Sequence, residues 1–275
     1  MLNTSEVTTK QAFSRMLINE EHKWAAYADD EVRFVIKTCK INKRHKLLDV
    51  GCGIGRHSNA FAEKGYFITG IDYVESFIKR ANAVRGERKL EPLFINADFR
   101  TFSFKRQFDF VICLYDVIGS SIDNENNNIV RAIHRCLQPN GKALISVMNY
   151  DYSAYRATPE NYFVFEYEHD KLLDLVASDT MERTGNIFNH KYLLIDSQTR
   201  ITYRKERFRS DAGSPTEVIV KDRRYTKDEI VKICEENGFT VLWSRYVKAG
   251  NWSEKENNIF DSKEILLFCE KKEGR

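Results

Sequence analysis

The chain has 275 residues, with 43 Lys and Arg against 40 Asp and Glu and a formal net charge of +3. That length buries a full core, as one large domain or one domain with a sizeable insertion, and the near-balance of charge does not demand a nucleic-acid partner. Only 4 prolines and 13 glycines occur, which excludes low-complexity and disordered classes. The six cysteines (39, 52, 113, 136, 234 and 269) form no CxxC pair, so buried reduced thiols are expected, with no metal site and no disulfide framework. The first residues, MLNTSEVTTKQAF, carry no apolar signal core. No run reaches the roughly 18 uncharged residues of a membrane span. A soluble cytoplasmic protein without membrane contact is the expectation.

In chain order, residues 11–40 read as two helices, the second with Val32, Val35, Ile36 and Cys39 in one apolar stripe. From Lys46 strands and helices alternate. KLLDV (46–50) is a buried strand, GCGIG a turn, and HSNAFAEKG a helix stopped by Gly65. YFITGID (66–72) is a second strand and VESFIKRANAVRG a helix closing on Gly86. PLFINAD (92–98) and FDFVICLYD (108–116) are further strands. ENNNIVRAIHRCL is a helix, a Pro139-Asn140-Gly141 turn follows, and KALISVMN (142–149) is a fifth strand. Nearly all-apolar strands separated by helices predict a doubly wound parallel sheet covered on both faces. Ligands bind such sheets outside the carboxyl ends of the strands.

From Tyr150 to 222 the period changes to two, in YFVFEYE, NIFNHKYLLID, RITYRKERF and TEVIVKD, with DSQT and DAGSP as turns. This predicts an antiparallel β insertion at 150–222. The helix YTKDEIVKICEENGF, capped by Thr226, and the strands TVLWSRYV and EILLFCEK then return to the main sheet. The expected organisation is an N-terminal helical lid (1–45), a ligand-binding domain (46–149 and 223–275) and the insertion between its halves.

The glycine loop indicates the ligand. Gly51, Gly53 and Gly55 let the backbone approach a ligand without β-carbons in the way. A dinucleotide fingerprint needs a third glycine where Arg56 stands, and no Gly-Lys-Ser/Thr of a P-loop follows. Asp72 ends the second strand about twenty residues later, where an acid accepts hydrogen bonds from ribose hydroxyls. Asp98 and Phe99 end the third strand, placed to read an adenine amino group by carboxylate or backbone and to stack on the base. Asp49 precedes the loop and holds it through amides or meets a cationic ammonium. Each aspartate taken singly also suits a helix or turn cap.

With DVGCGIG, the acid in GIDYVE, NADF, FDFVICLYD and LQPNGKALIS in this order, the chain resembles the class I S-adenosylmethionine-dependent methyltransferases from about Leu47 to Met148. The resemblance implies a mostly parallel seven-stranded Rossmann-like sheet and S-adenosyl-L-methionine as cofactor. It places Asp49, Gly51, Cys52, Gly53 and Gly55 around the methionine end. Asp72 and Tyr73 fall at the ribose, Asp98 and Phe99 at the adenine, and Leu114 on the wall, with Tyr27 closing from the lid.

Methyl transfer is in-line displacement at an activated carbon, so alignment, desolvation and proton removal are what the protein supplies, and no triad is required. Candidate acceptor-facing groups are Tyr115, Asp116, Asn149 and Tyr150 past the strand ends. Tyr27 and Arg33 in the lid, and His57 at the helix start, complete the set. Packing is the alternative for Tyr27 and Trp24, and capping or a solvent-facing position for His57. His190 reads as a sheet histidine and His134 as structural. The aromatic insertion suits a roof over a small-molecule acceptor or a homodimer interface. Between Arg200 and Arg224 eight basic residues face four acidic ones, a solvated face or an anion- or RNA-binding stretch. The expected function is methyl transfer to a small molecule, nitrogen favoured, in the style of glycine or amino-sugar N-methyltransferases. An RNA or tRNA methyltransferase is the alternative, although LYDV (114–117) stands where an NPPY-type motif would be. A non-catalytic partner subunit is the third reading.

Overall fold

A computed structural model describes residues 6–13, 26–104, 108–156, 162–165, 175–184, 193–210 and 213–272. The main sheet has seven strands: β2 (Lys46–Val50), β3 (Phe67–Asp72), β4 (Leu93–Asn96), β5 (Phe108–Cys113), β6 (Leu137–Met148), β11 (Phe239–Val247) and β12 (Glu264–Lys271). Their order is β11-β12-β6-β5-β2-β3-β4. All pairings are parallel except those of β12, which runs antiparallel to both β6 and β11. This is the doubly wound sheet that the strand–helix alternation predicts, with the seven mostly parallel strands that the resemblance implies.

Alternate residues of each central strand feed two cores, because side chains of a pleated strand leave by opposite faces. Leu48, Val111, Cys113, Ile145 and Leu267 join one core with α5 (Asp123–Cys136) and α8 (Lys227–Glu236). Leu47, Phe110, Ile112, Leu144 and Leu266 join the other with α2 (Ala28–Thr38) and α3 (Arg56–Glu63). Strands buried on both faces have no polar side to show, hence their continuous apolar sequence. All six cysteines are buried and unbridged. Thr226 caps α8 through a reciprocal capping box with Glu229.

Three local differences from expectation have simple causes. Helix α4 (Glu75–Arg88) runs through Gly86 and ends where Lys89 takes a left-handed conformation. Pro139-Asn140-Gly141 forms a register shift inside β6, not a turn before it, with Asn140 at positive φ. The N-terminal segment holds a strand, β1 (Glu6–Thr8), as well as the short helix α1 (Thr9–Phe13). Three residues are too few to show a period.

The insertion forms a second sheet, ordered β1-β10-β9-β8-β7, from β7 (Tyr162–Phe165), β8 (Leu193–Asp196), β9 (Ile201–Ser210) and β10 (Gly213–Arg223). β8, β9 and β10 are antiparallel as expected, whereas β7 pairs parallel to β8 and β1 parallel to β10. Distant partners, not hairpin turns, set those two registers. Asp196 closes the DSQT turn by accepting from Gln198 N and Thr199 N. Phe208, Val218 and Val220 pack with Val7, Phe77, Met148 and Tyr152, which joins the second sheet to the strand ends of the first. Trp24, Tyr167, Phe188, His190 and Tyr192 lie outside the described residues. Among the described residues no helix is long and apolar enough to cross a membrane.

Candidate active site

A cavity of about 920 Å³ opens at the carboxyl ends of β2, β3 and β5, with Thr180 and Arg183 of the short helix α7 (Thr180–Thr184) lining it from the insertion. That is the upper end of the range for small-molecule sites, roughly 300–1,000 Å³, and has room for a nucleoside beside a second small ligand. The glycine loop forms its floor. A β-carbon on Gly55 would stand 2.5 Å from the Phe94 ring and 3.1 Å from Ala81, so the loop closes tightly on α4 and β4 only with glycine there. A β-carbon on Gly53 would meet nothing nearer than 4.0 Å, which leaves that backbone open to the cavity.

Asp72 links loop to strand. Its carboxylate accepts from Gly53 N at 2.9 Å and from Val74 N at 2.8 Å. Burial pushes its pKa up to about 6 against those two amides. Asp49 is buried deeper, accepts from Ser58 Oγ at 2.7 Å and is likewise raised by burial. Tyr73 and Leu114 line the walls. Cys52 reaches the cavity by its backbone, while its thiol packs with Ile78, Ala81 and Phe94. Phe99 stands between cavity and core, 7% exposed.

Asp98 departs from the expected adenine contact. Its carboxylate has four acceptor positions, and four donors take them: Lys10 Nζ at 2.9 Å, and the Arg100 backbone N, Nε and Nη2. The guanidinium first, with Lys10 adding, holds its pKa well below the carboxylate range. Only the backbone near Asp98 is left for the role the sequence suggested.

His57 also differs. It is buried, neither a cap nor a solvent-facing residue, and its Nε2 donates to Glu31 at 2.8 Å. Glu31, 1% exposed on α2, also accepts from Arg56 Nη1 at 3.4 Å, from Gly250 N at 3.1 Å and from the Tyr115 hydroxyl. Burial alone would raise Glu31; His57, Arg56 and Tyr115 together hold it below its ordinary value. Tyr115, at φ 66°, thus has its hydroxyl tied and its ring under the Arg56 guanidinium at 4.4 Å. Tyr27 lines the cavity and lies against Gly250, whereas Arg33 points away and pairs with Asp29.

Asn149 is no acceptor contact. It is fully buried, donates to the Ile259 and Ser262 carbonyls at 2.9 and 2.8 Å, and accepts from Asp151 N. Tyr150 lies under Arg200, off the cavity. Asp116, by contrast, lines the cavity at 6% exposure with both carboxyl oxygens lacking a hydrogen-bond partner. Burial, then the charges of Asp222 and Glu264, push its pKa far up despite Arg204 and Arg224. Glu264 stands nearby on the same wall, pushed up to about 8 by burial and the charge of Glu31.

Glu31 and Glu264 are absent from the sequence-based candidates. For Glu31 a signal existed: Ala28, Glu31, Val32 and Val35 form one helical face, so a charge lies inside an apolar stripe. Glu264 carried none, as an acid just before an apolar strand reads as its solvent end.

The sheet order and the glycine-floored cavity define a Rossmann-like methyltransferase fold. Residues 47–141 match the family model described as a methyltransferase domain. The chain is 30% identical over 151 residues to a ubiquinone biosynthesis O-methyltransferase of Rickettsia conorii, covering 50% of this chain and 51% of that protein. It thus spans about half the length of the curated relatives it matches. Among solved structures, the CcbJ methyltransferase of Streptomyces caelestis is similar with a TM-score of 0.69 at 12% identity, covering 97% and 99% of the two chains. The glycopeptide N-methyltransferase MtfA complexed with S-adenosyl-L-methionine is similar with a TM-score of 0.57 at 14% identity, covering 90% and 87%. These structural likenesses establish the fold.

Proposed function

We propose that the protein is an S-adenosylmethionine-dependent methyltransferase acting on a small-molecule acceptor, with nitrogen as the favoured acceptor atom. The observation that carries this reading is one cavity with two chemically distinct ends. Gly53 and Asp72 form a bare, acid-flanked floor; Asp116 and Glu264 form a desolvated acidic wall. The floor fits a sulfonium nucleoside, because Gly53 leaves its backbone uncovered and Asp72 retains acceptor capacity beyond its two amides. When bound, the cofactor supplies a methyl carbon activated by its sulfonium. Asp72 would hold the ribose, the 51–55 backbone the methionine end, and Leu114 and Phe99 the apolar wall. Burial of the acceptor end excludes water and strengthens each charge there.

A small acceptor is favoured over RNA because the basic 200–224 run is answered within the protein. Arg207 meets Glu217, Arg223 meets Asp123 and Glu229, and Arg204 and Arg224 meet Asp222 in the interior.

Calorimetric titration with S-adenosylmethionine and S-adenosylhomocysteine tests the reading, and absence of binding by either ends it. Asp72→Ala is expected to weaken binding at least tenfold, about 1.4 kcal/mol. Affinity of the native chain should also fall as pH drops through about 6, where Asp72 takes up its proton. A folded Asp72→Ala protein with undiminished affinity removes the ribose assignment.

A further inference from the structure

We propose that Asp116 and Glu264 recognise the methyl acceptor and that the acceptor is a small amine that arrives as an ammonium ion. This rests on the methyltransferase reading above and names its substrate class.

Topology brings the two acids together. Asp116 follows the carboxyl end of β5, and Glu264 opens the antiparallel β12, whose first residue pairs with Met148 at the carboxyl end of β6. The three strands are neighbours, so both acids stand on the same sheet edge, and both line the cavity with Met148. Asp116 is 6% exposed and Glu264 1%. Both oxygens of Asp116 and Oε2 of Glu264 are buried without a hydrogen-bond partner. A buried carboxyl in that condition costs free energy unless a ligand completes it.

The cations on the cavity wall are already engaged. Lys10 and Arg100 hold Asp98, Arg56 holds Glu31, and Arg183 pairs with Asp179. Lys263 has its own interactions, and burial lowers its pKa, with the charge of Glu264 beside it only partly offsetting that. An anionic acceptor would therefore find paired cations beside buried carboxyl groups, the reverse of what it needs. An ammonium ion finds the acceptors it lacks, since it carries donors only.

The same pair suits the proton balance. An amine attacks only with a free lone pair, so the ammonium must first lose a proton. Asp116, held protonated by burial, gives its own proton to solvent as the cation arrives beside it, and the resulting carboxylate takes one from the ammonium. The nitrogen lone pair then forms the bond to the methyl carbon as the carbon–sulfur pair returns to sulfur. The product leaves as a methylated ammonium, carrying the positive charge that the sulfonium gives up. Glu264 holds the remaining N–H.

The test uses the whole chain, radiolabelled S-adenosylmethionine and a small-metabolite extract split by cation exchange into basic, neutral and acidic fractions. Label is expected in the basic fraction. Asp116→Asn and Glu264→Gln should each lower that transfer about tenfold or more while cofactor affinity, read by calorimetry, stays within about twofold. Label in neutral or acidic molecules, no label despite cofactor binding, or undiminished transfer in both variants overturns the proposal. Failure of the native chain to bind the cofactor instead strikes the methyltransferase reading itself.

Discussion

Glu264 shows what a single buried carboxyl does to stability. Its pKa stands at about 8 in the folded chain against an ordinary value of 4.5, because burial, and then the charge of Glu31, disfavour the ionised form. Between those values the unfolded chain has lost the proton and the folded chain keeps it, so stability from this group falls as pH rises. Its contribution is complete below pH 4.5 and gone above about 8. Glu264→Gln cannot ionise, so its thermal midpoint should exceed that of the native chain at pH 8, with the gap closing by pH 4.5. Scanning calorimetry across that range reads the difference, and equal midpoints at pH 8 refute the assignment. A destabilised acid lining the cavity is the usual compromise between stability and function.

At the scale of elements, Glu31 fastens helix α2 to three other parts of the chain. Its donors come from the start of α3 (Arg56, His57), the end of β5 (Tyr115) and the loop at Gly250. Truncating one partner of a buried charged network leaves the rest uncompensated, typically about 3–5 kcal/mol. Glu31→Ala is therefore expected to lower the unfolding free energy by that order, read as a fall in the urea midpoint with the slope unchanged. A loss under about 1 kcal/mol would mean that water replaces the carboxylate there. The GRH segment thus reads as a fastening of the glycine loop. Arg56 and His57 face the cavity but are spent on Glu31.

Over the whole molecule, the two sheets meet through buried charge as well as apolar packing. Asp222 of β10 pairs with Arg204 of β9 and with Arg224, whose Nη1 reaches Ser153 of α6 (Tyr150–Arg156) at 2.5 Å. Asp222 and both arginines are at most 1% exposed. Main-chain bonds join the same region, from Tyr150 N to Tyr225 O and from Arg223 N to Gly119 O. Asp222→Ala deprives two buried guanidinium groups of a shared counter-charge and should cost about 3–5 kcal/mol by chemical denaturation. Little change would indicate that the two sheets hold together by apolar contact alone.

The doubly wound sheet was legible because its strands are buried on both faces, and near-continuous apolar runs between helices have few other solutions. The glycine loop and Asp72 were legible for a related reason: strand-end position and spacing are local properties of the chain. Tertiary structure alone decided the charge pairings. Glu31 meets His57 26 residues away and Gly250 219 residues away, separations over which no periodicity carries information. The same holds for β1 on β10, for the donors that saturate Asp98, and for the basic 200–224 run. A run of arginines looks the same in sequence whether solvent, a ligand or an aspartate answers it. Only the packed fold brings Asp222 between Arg204 and Arg224 and leaves Asp116 without a partner at the cavity wall.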